Sequence, residues 1–217
     1  MSDEPMQQTE KRKPRTGRPA GAPRGDRRRD RAATKQRLID AVGSVLERDG
    51  VLALGINSIA KRANVDKVLI YRYFSNLNGL FDAYAAKTRL WPDLADVAGD
   101  APAVFRTLAP IDRLTLVLGN LAEALARWPR SLDIAAWRVL ETNALTEALA
   151  AQQATLNRQI LDLAFAGSAL TADNAAPRLA MIIDAVIMDV LRAHQSESPP
   201  ALGSSQLQDL TGRLFGA

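Results

Sequence analysis

The amino-acid sequence predicts an all-α protein, and two observations support that prediction. Apolar residues recur at intervals of three and four along most of the 217 residues, and we find no convincing alternation of apolar and polar residues. Proline is absent from positions 24 to 91 and then returns at intervals, which leaves blocks long enough for helices. We therefore expect an amino-terminal three-helix unit joined by a fourth helix to a larger helical domain.

The apolar periodicity and its stop signals divide the chain into nine predicted helices. The first begins near Ala33 and ends at Asp49-Gly50, because Gly is a common helix stop. The fourth begins at Leu77 and is closed by Trp91-Pro92. The remaining predicted helices cover about 56–63, 67–74, 111–128, 131–141, 143–165, 177–194 and 206–215.

Composition excludes several kinds of catalytic and metal site. The chain has no Cys, so thiol nucleophiles, Cys-ligated zinc, iron–sulfur clusters and disulfides are excluded. A single His, His194, cannot form a multi-His metal site, and neither a glycine-rich phosphate loop nor an outstanding carboxylate pair is present. The sequence therefore predicts a protein that is not an enzyme and that needs no cofactor or metal.

Charge is distributed unevenly along the chain. Residues 1–37 carry a net charge of +7, residues 38–90 carry +2, and residues 91–217 carry −5. Residues 1–32 are polar, rich in Arg and without apolar periodicity, so they bury too little apolar surface to offset the entropy of ordering. We expect these residues to form a disordered basic arm.

No segment of the sequence has the pattern of a secretory signal or a membrane span. The longest apolar stretch, residues 179–191, contains Asp184 and Asp189 and is shorter than the ~20 residues that a membrane span needs. We expect a cytoplasmic protein without membrane contact.

Residues 56–74, INSIAKRANVDKVLIYRYF, have the pattern of a helix-turn-helix. Ile59, Ala60 and Ala63 share the buried face of its first helix. Asn64 stands at the turn, where a positive φ is usually needed, and Asp66 is placed to cap the second helix. Ile70, Tyr73 and Phe74 are expected to pack the second helix on the core, and the residues that face outward are Lys67, Val68, Leu69, Tyr71 and Arg72.

An exposed second helix of this kind fits the major groove of DNA, which is about 12 Å wide. Lys67 and Arg72 can donate to phosphates or guanine, Tyr71 can donate to a phosphate, and Val68 or Leu69 can contact a thymine methyl group. The alternative is an ordinary helical hairpin with a solvated basic face.

The sequence resembles the TetR family of transcriptional regulators across residues 38–84. Leu38-Ile39-Asp40-Ala41, Gly50, Ile59-Ala60, Ala63-Asn64-Val65, 70–74 and Leu80-Phe81 carry the resemblance. It implies a helix-turn-helix domain over 33–77 that binds operator DNA as a homodimer, and an effector-binding and dimerisation domain over 78–217. The residues expected to contact DNA are Asn57, Lys67, Val68, Leu69, Tyr71, Arg72 and Tyr73.

Five positions depart from the family pattern. Two of them, Val68 and Leu69, stand early in the predicted helix 67–74, where the family has small and hydroxyl residues. Asn64 replaces the usual Gly at the turn. Gly55 replaces a Thr at the start of the predicted helix 56–63, and Leu77 replaces a Lys at the start of the fourth predicted helix of the chain. The resemblance therefore transfers best to Lys67, Tyr71, Arg72 and Tyr73.

The arm has its own candidate DNA contact. The segment KRKPRTGRP, residues 11–19, resembles the minor-groove core of AT-hook peptides and places Arg18 between Gly17 and Pro19. Attraction of its cations to phosphates without sequence preference is the alternative. Either mode predicts strong salt dependence, because each neutralised phosphate contributes ~0.9 to the salt slope.

The second domain offers a candidate ligand pocket and a candidate dimer interface. The pocket residues are expected to be Trp91, Phe105, Leu116, Trp128, Trp137, Met181, Asp184 and Met188, although these side chains can equally fill the core. Helix 177–194 is apolar almost all round and is expected to pair with 206–215 in a two-fold, four-helix contact. Asp184 and Asp189 lie within this apolar helix, where an unpaired buried carboxylate is costly. Each is therefore expected to bind a ligand amine, to pair with an Arg such as Arg138 or Arg178, or to face solvent.

The function predicted from the sequence is a homodimeric repressor of transcription that a small-molecule effector releases from its operator. The alternative is a nucleic-acid-binding protein without sequence preference that acts mainly through its basic arm.

Overall fold

The computed structural model describes residues 24–99, 105, 107–165 and 172–215, and within them the chain folds into helices without a strand, which confirms the all-α prediction. The helices are α1 (Arg24–Asp49), α2 (Ile56–Ala63), α3 (Val68–Phe74), α4 (Leu77–Ala85), α5 (Leu94–Ala98), α6 (Pro110–Ala126), α7 (Pro129–Arg138), α8 (Ala144–Ala164), α9 (Ala172–Ser196) and α10 (Ser204–Phe215). A 3₁₀ turn, Val51–Ala53, follows α1. Among these described helices, none is both long and apolar enough to cross a membrane.

Helices α1 to α4 form the amino-terminal unit, which we call the head. Helix α1 packs against α2 and α4, and α3 packs against α4. Leu38, Val42, Ile59, Ile70 and Leu80 are fully buried between them. The apolar stripe that predicted each of these helices is thus the face on which the head is built.

Helix α8 occupies the centre of the remaining helices, which we call the body. It contacts α4, α5, α6, α7 and α9, while α10 packs chiefly on α6. The hydroxyl groups of Thr115 and Thr211 lie 2.8 Å apart between α6 and α10. Contact between α4 and α8 joins the head to the body, so a change in the position of one affects the other.

The prediction of a disordered arm over 1–32 is wrong for its last nine residues. Helix α1 begins at Arg24, whereas residues 1–23 lie outside the described part of the chain. The segment 24–32 contains Arg and Ala, which are good helix formers, and no Pro, so it extends the helix that the apolar pattern marks only from Ala33. Weak apolar periodicity was therefore a poor guide to the helix boundary.

Helix α4 is shorter than predicted, since it ends at Ala85 and not at Trp91-Pro92. The backbone N–H groups of Leu90 and Trp91 donate to the Gln152 side-chain oxygen on α8, at 2.8 and 3.1 Å. A partner distant in the sequence thus satisfies the backbone groups that a longer helix would have paired.

Two helix starts also differ from the predictions. Helix α9 begins at Ala172, five residues before the predicted start at Pro177, which lies inside the helix. The short helix α5, which the sequence did not suggest, is capped by the Asp93 carboxylate through the N–H groups of Ala95 and Asp96. At α5 this local cap outweighs a weak apolar signal.

Asp189 holds the loop between α9 and α10. It is only 8% exposed, and its carboxylate accepts the N–H groups of Ala201 and Leu202 at 3.1 and 2.8 Å and an N–H of Arg192 at 2.6 Å. Burial raises the pKa of Asp189, but these hydrogen bonds and the Arg192 charge outweigh burial and hold that pKa below its usual value. The expected Arg partner is therefore Arg192 and neither Arg138 nor Arg178, while Asp184 faces solvent.

Candidate nucleic-acid interface

Helix α2 matches its predicted bounds, and its buried face consists of Ile59, Ala60 and Ala63 as expected. Gly55 precedes the helix with an extended backbone and has no side chain to cap it. The Ser58 hydroxyl compensates, because it accepts the Gly55 backbone N–H at 3.1 Å from within the first turn. This contact replaces part of the capping that a hydroxyl residue at position 55 would supply.

The turn between α2 and α3 is also formed as predicted. Asn64 has φ 51° and ψ 52°, the left-handed conformation that Asn tolerates better than most residues. The Val65 backbone N–H donates to the Ala60 carbonyl at 3.1 Å and closes the end of α2. The Asp66 carboxylate accepts the Val68 backbone N–H at 2.8 Å, which confirms the predicted cap.

Helix α3 presents most of its predicted outward residues to solvent. Val68 is 60% exposed and Tyr71 is 52% exposed, and Lys67 and Arg72 are exposed beside them. Leu69 differs, because it is half-buried and packs against the core cluster. In a helix of seven residues anchored by Ile70, the neighbouring side chain turns partly inward, so the outward prediction was wrong for Leu69.

The exposed surface of the helix-turn-helix carries unpaired positive charge. Arg62 forms an ion pair with Asp49 at 2.8 Å. Lys61, Lys67 and Arg72 have no carboxylate within ion-pairing distance among the residues that the structure describes. Asn57 is exposed at the second position of α2. These side chains are available to phosphates or base edges.

The amino-terminal part of α1 lies beside the end of α3. The Arg31 guanidinium lies 5.4 Å from the centre of the Tyr73 ring, and the Lys35 ammonium lies 6.0 Å from that ring and 5.6 Å from the Phe74 ring. Tyr73 and Phe74 are half-buried, in accord with their predicted packing role. The spacing of Arg31 and Lys35, four residues apart, was the available sequence signal, and treating residues up to 32 as an arm obscured it.

Arg18, the candidate contact in the arm, lies outside the described residues.

Three of the predicted pocket residues are core side chains. Trp91 is 1% exposed, Phe105 is buried under the Arg113 guanidinium, and Trp137 meets Phe81 edge-on with ring centres 6.2 Å apart. These three side chains fill the core, which was the alternative to a role in a ligand pocket.

The other predicted pocket residues do not converge on one cavity. Leu116 and Met181 are exposed on the outside of the body. Asp184 and Met188 line a groove of about 410 Å³ between α7, α8 and α9. Trp128 lines a different cavity, of about 360 Å³, next to the end of α4. The sequence could place each residue on a helix, but the direction that each side chain faces depends on how five helices pack.

The arrangement of these groups suits binding. No group of three or more His, Asp or Glu side chains able to hold a metal ion occurs among the described residues. The geometry consists of a capped, rigid helix pair that carries cations and apolar side chains on one exposed helix, which is the form in which proteins read DNA.

Comparison with known proteins bears on this geometry. Residues 38–84 match the family model of the bacterial regulatory proteins, tetR family, which corresponds to the head from the middle of α1 to α4. The head of this chain thus matches the tetR family of bacterial regulatory proteins. The transcriptional regulator AcuR of Cereibacter sphaeroides is 34% identical over 119 residues, which cover 53% of this chain and 48% of AcuR. The chain thus matches about half the length of this relative.

Solved structures share the fold over most of the chain. A TetR-like transcriptional regulator from Rhodococcus sp. RHA1 superposes with a TM-score of 0.57 at 19% identity, covering 86% of this chain and 98% of that one. A second transcriptional regulator from Rhodococcus sp. RHA1 gives a TM-score of 0.54 at 22% identity, covering 83% and 95%. The TetR likeness therefore extends through the body as a likeness of fold.

Proposed function

We propose that this protein acts as a TetR-type regulator, which binds operator DNA in a sequence-dependent manner and regulates transcription. The observation that carries the proposal is the exposed face of α3, where Lys67, Val68, Tyr71 and Arg72 stand together without a carboxylate partner in the described part of the chain. A helix of this shape and charge fits the major groove. An ordinary helical hairpin gains nothing by exposing Val68 and Tyr71 together.

The proposed contacts follow from where each side chain lies. Lys67 and Arg72 neutralise phosphates or donate to guanine, and Tyr71 donates to a phosphate. Val68 contacts a thymine methyl group, and Asn57 on α2 reaches an adenine edge. Tyr73 supports the helix from below, while Leu69 contributes mainly packing. Arg18 in the arm adds affinity through phosphates or the minor groove.

The protein is proposed to act as a homodimer through α9 and α10. One face of α9 is buried in the body, whereas Met181, Asp184, Ala185 and Met188 lie exposed along the opposite face. Met181 is 65% exposed and Met188 is 58% exposed. A second copy on this face would bury both and would present two α3 helices to half-sites about one DNA turn, ~34 Å, apart.

Replacing both Met181 and Met188 with Arg is expected to convert the dimer into a monomer. In a dimer, each new guanidinium group would have to be buried against the new guanidinium groups of the second copy. The free energy that this burial costs far exceeds that of the lost apolar contact. Analytical ultracentrifugation measures the mass. The control is Leu52→Arg, since Leu52 is 84% exposed in the head, and a variant dimer indistinguishable from the parent would contradict this interface.

The proposed mode of regulation is release from the operator by a small-molecule effector. A ligand bound in the body can shift the spacing between the two heads only if it binds the dimer with one spacing more tightly than the dimer with the other. Operator affinity measured with and without a bound effector tests this step, and equal affinities would contradict it.

The test of the proposed function is selection of bound DNA from a random pool by the full chain. We expect a palindrome to be recovered. Arg72→Ala should then weaken binding to it by about 10- to 100-fold and relax base preference, as loss of a base or phosphate contact costs ~1–3 kcal/mol. Arg158→Ala, an equal loss of charge on an exposed residue of α8, is the control and should leave affinity unchanged.

The alternative function, binding without sequence preference through the arm, predicts different results. No sequence would be enriched, and deletion of residues 1–23 would abolish binding while Arg72→Ala would have little effect. Under the proposed function the same deletion lowers affinity and reduces the salt slope, but the preferred sequence stays the same.

A further inference from the structure

A cavity of about 360 Å³ lies where the head meets the body, between the end of α4 with its following loop and the corner between α6 and α7. We call it the junction cavity. Its size falls in the range of small-ligand sites. The lining residues that matter for its chemistry are Tyr84, Thr88, Arg89, Arg127, Trp128 and Arg130.

Two of the three arginines in the junction cavity already have carboxylate partners. Arg130 on α7 pairs with Glu47 of α1 at 2.9 Å. Arg89 pairs with Asp93 and, at 3.1 Å, with Asp96, and its guanidinium lies 4.5 Å from the centre of the Trp128 ring. These contacts fix the direction in which both guanidinium groups point.

Arg127 differs from the other two arginines. It is exposed at the carboxyl end of α6, and among the residues that the structure describes it has no carboxylate within ion-pairing distance. The junction cavity therefore has one uncompensated positive charge beside two oriented guanidinium groups. Arginine forks of this kind suit the planar, bidentate recognition of a carboxylate.

The walls of the junction cavity combine apolar and polar groups. Trp128, Leu90 and Ile134 supply apolar surface. Tyr84 is 5% exposed, and burial raises the pKa of its phenol, which stays neutral and keeps its proton. The Ser131 hydroxyl is already used, since it donates to the Leu90 carbonyl at 2.6 Å. A matching ligand has a negatively charged end and a small apolar body.

We infer that the junction cavity binds a small organic carboxylate, whose charged group is held by Arg127 and Arg130 and whose apolar part lies against Trp128. The ligand draws Arg130 away from Glu47. The binding claim stands on the cavity alone, whereas its regulatory consequence rests on the proposed function.

The consequence for the head follows from what Arg130 and Tyr84 contact. The Glu47–Arg130 ion pair links α1 of the head to α7 of the body. The Tyr84 ring lies against Gly43 of α1, where an added Cβ would come within 3.3 Å of the ring. A ligand in the junction cavity thus acts on two contacts that set the position of the head, and a shift there changes the separation of two heads in a dimer.

Binding is tested with benzoate, hexanoate and succinate, each compared with its neutral amide at constant ionic strength. Calorimetry on the full chain without DNA measures affinity, and tryptophan fluorescence, to which Trp91, Trp128 and Trp137 all contribute, is a second readout of binding. We expect at least one carboxylate to bind at least tenfold more tightly than its amide. No difference between any carboxylate and its amide would overturn the inference.

Variants locate the site. Arg127→Gln should weaken binding of the carboxylate by about tenfold or more, because a hydrogen bond to a charged group is lost, and the melting temperature should not change. The matched control is Arg158→Gln on α8, which should bind like the parent. Unchanged affinity in Arg127→Gln would place any bound carboxylate elsewhere and overturn the assignment.

Glu47→Gln tests the competition for Arg130. If ligand and Glu47 compete, removing the carboxylate of Glu47 frees Arg130, and affinity should rise by about threefold or more, whereas a merely structural role predicts no rise. Operator affinity at saturating ligand is then compared with that of the free protein. If an operator is selected but no carboxylate binds, this inference is wrong and the proposed function is not. If a carboxylate binds but no operator is selected, the proposed function is wrong and this inference is not.

Discussion

Replacing Gly79 with Ala is expected to lower the free energy of unfolding by about 3 kcal/mol, because a side chain at this position has nowhere to go. A Cβ added at Gly79 in α4 would lie 2.0 Å from the backbone carbonyl oxygen of Phe74, the last residue of α3. That oxygen cannot move by a change of rotamer. The turn between α3 and α4 would have to open.

The turn is already tightly constrained. Ser75 has a positive φ of 70°, and the Asn76 side chain accepts the Gly79 backbone N–H at 2.8 Å as the cap of α4. Opening the turn breaks this cap and shifts α3, so the proposed DNA-binding surface moves with it. We expect Gly79→Ala to lose operator affinity more than tenfold even at temperatures where it stays folded, since displacing α3 disturbs several contacts together.

Urea denaturation and thermal unfolding followed by circular dichroism measure the effect on stability. A loss of 3 kcal/mol corresponds to a fall of about 6–12 °C in Tm for a chain of this size. The control is Gly119→Ala in α6, where an added Cβ meets no atom within 4 Å, and there we expect a gain of roughly 0.5–1 kcal/mol from helix propensity. Equal effects at the two positions would contradict the close approach at Gly79.

Replacing Asp189 with Asn is expected to cost about 2–3 kcal/mol at neutral pH. The carboxylate accepts two backbone N–H groups and an Arg192 N–H, and hydrogen bonds to a charged group are worth more than those to a neutral one. Asn would also point an N–H₂ group at one of these donors. Because Arg192 is 58% exposed, water solvates it after the change and limits the loss.

The pH dependence follows from the lowered pKa of Asp189. A carboxyl whose pKa is lower in the folded than in the unfolded protein stabilises the fold fully above the unfolded pKa of about 3.9 and progressively less as pH falls below it. The difference in stability between parent and Asp189→Asn should therefore be constant from pH 7 to about pH 5 and shrink below pH 4. Urea denaturation at pH 7, 5 and 3.5 measures this difference.

The control for this prediction is Asp162→Asn, which removes an exposed carboxylate from α8. We expect it to change stability by less than about 0.5 kcal/mol at every pH. A difference between parent and Asp189→Asn that persists undiminished at pH 3.5 would show that charge on Asp189 does not hold the loop.

The helix-turn-helix could be predicted from the sequence because its determinants are local. The bounds of α2, the left-handed Asn64 and the Asp66 cap depend on residues within four positions of each other. Each of these features reflects a backbone requirement that few residue types meet. Ile70 was also predicted to pack α3 on the core, and it is fully buried.

The junction between head and body could not be predicted, because its contacts join distant parts of the chain. Gln152 ends α4 by binding the backbone of Leu90 and Trp91, some sixty positions away. Glu47 meets Arg130 across a similar separation. Nothing in the local pattern of either segment marks these pairs.

The helical class, the helix-turn-helix and the lack of Cys followed from the sequence alone, because periodicity and turn residues act over short distances and composition requires no structure. The packing of the helices was needed to show that Arg31 of α1 lies beside Tyr73, that Leu69 turns inward, and that the eight predicted pocket residues separate. A helix determines where its side chains point relative to its own axis. How the helix is rotated about that axis within a packed bundle depends on all its neighbours together.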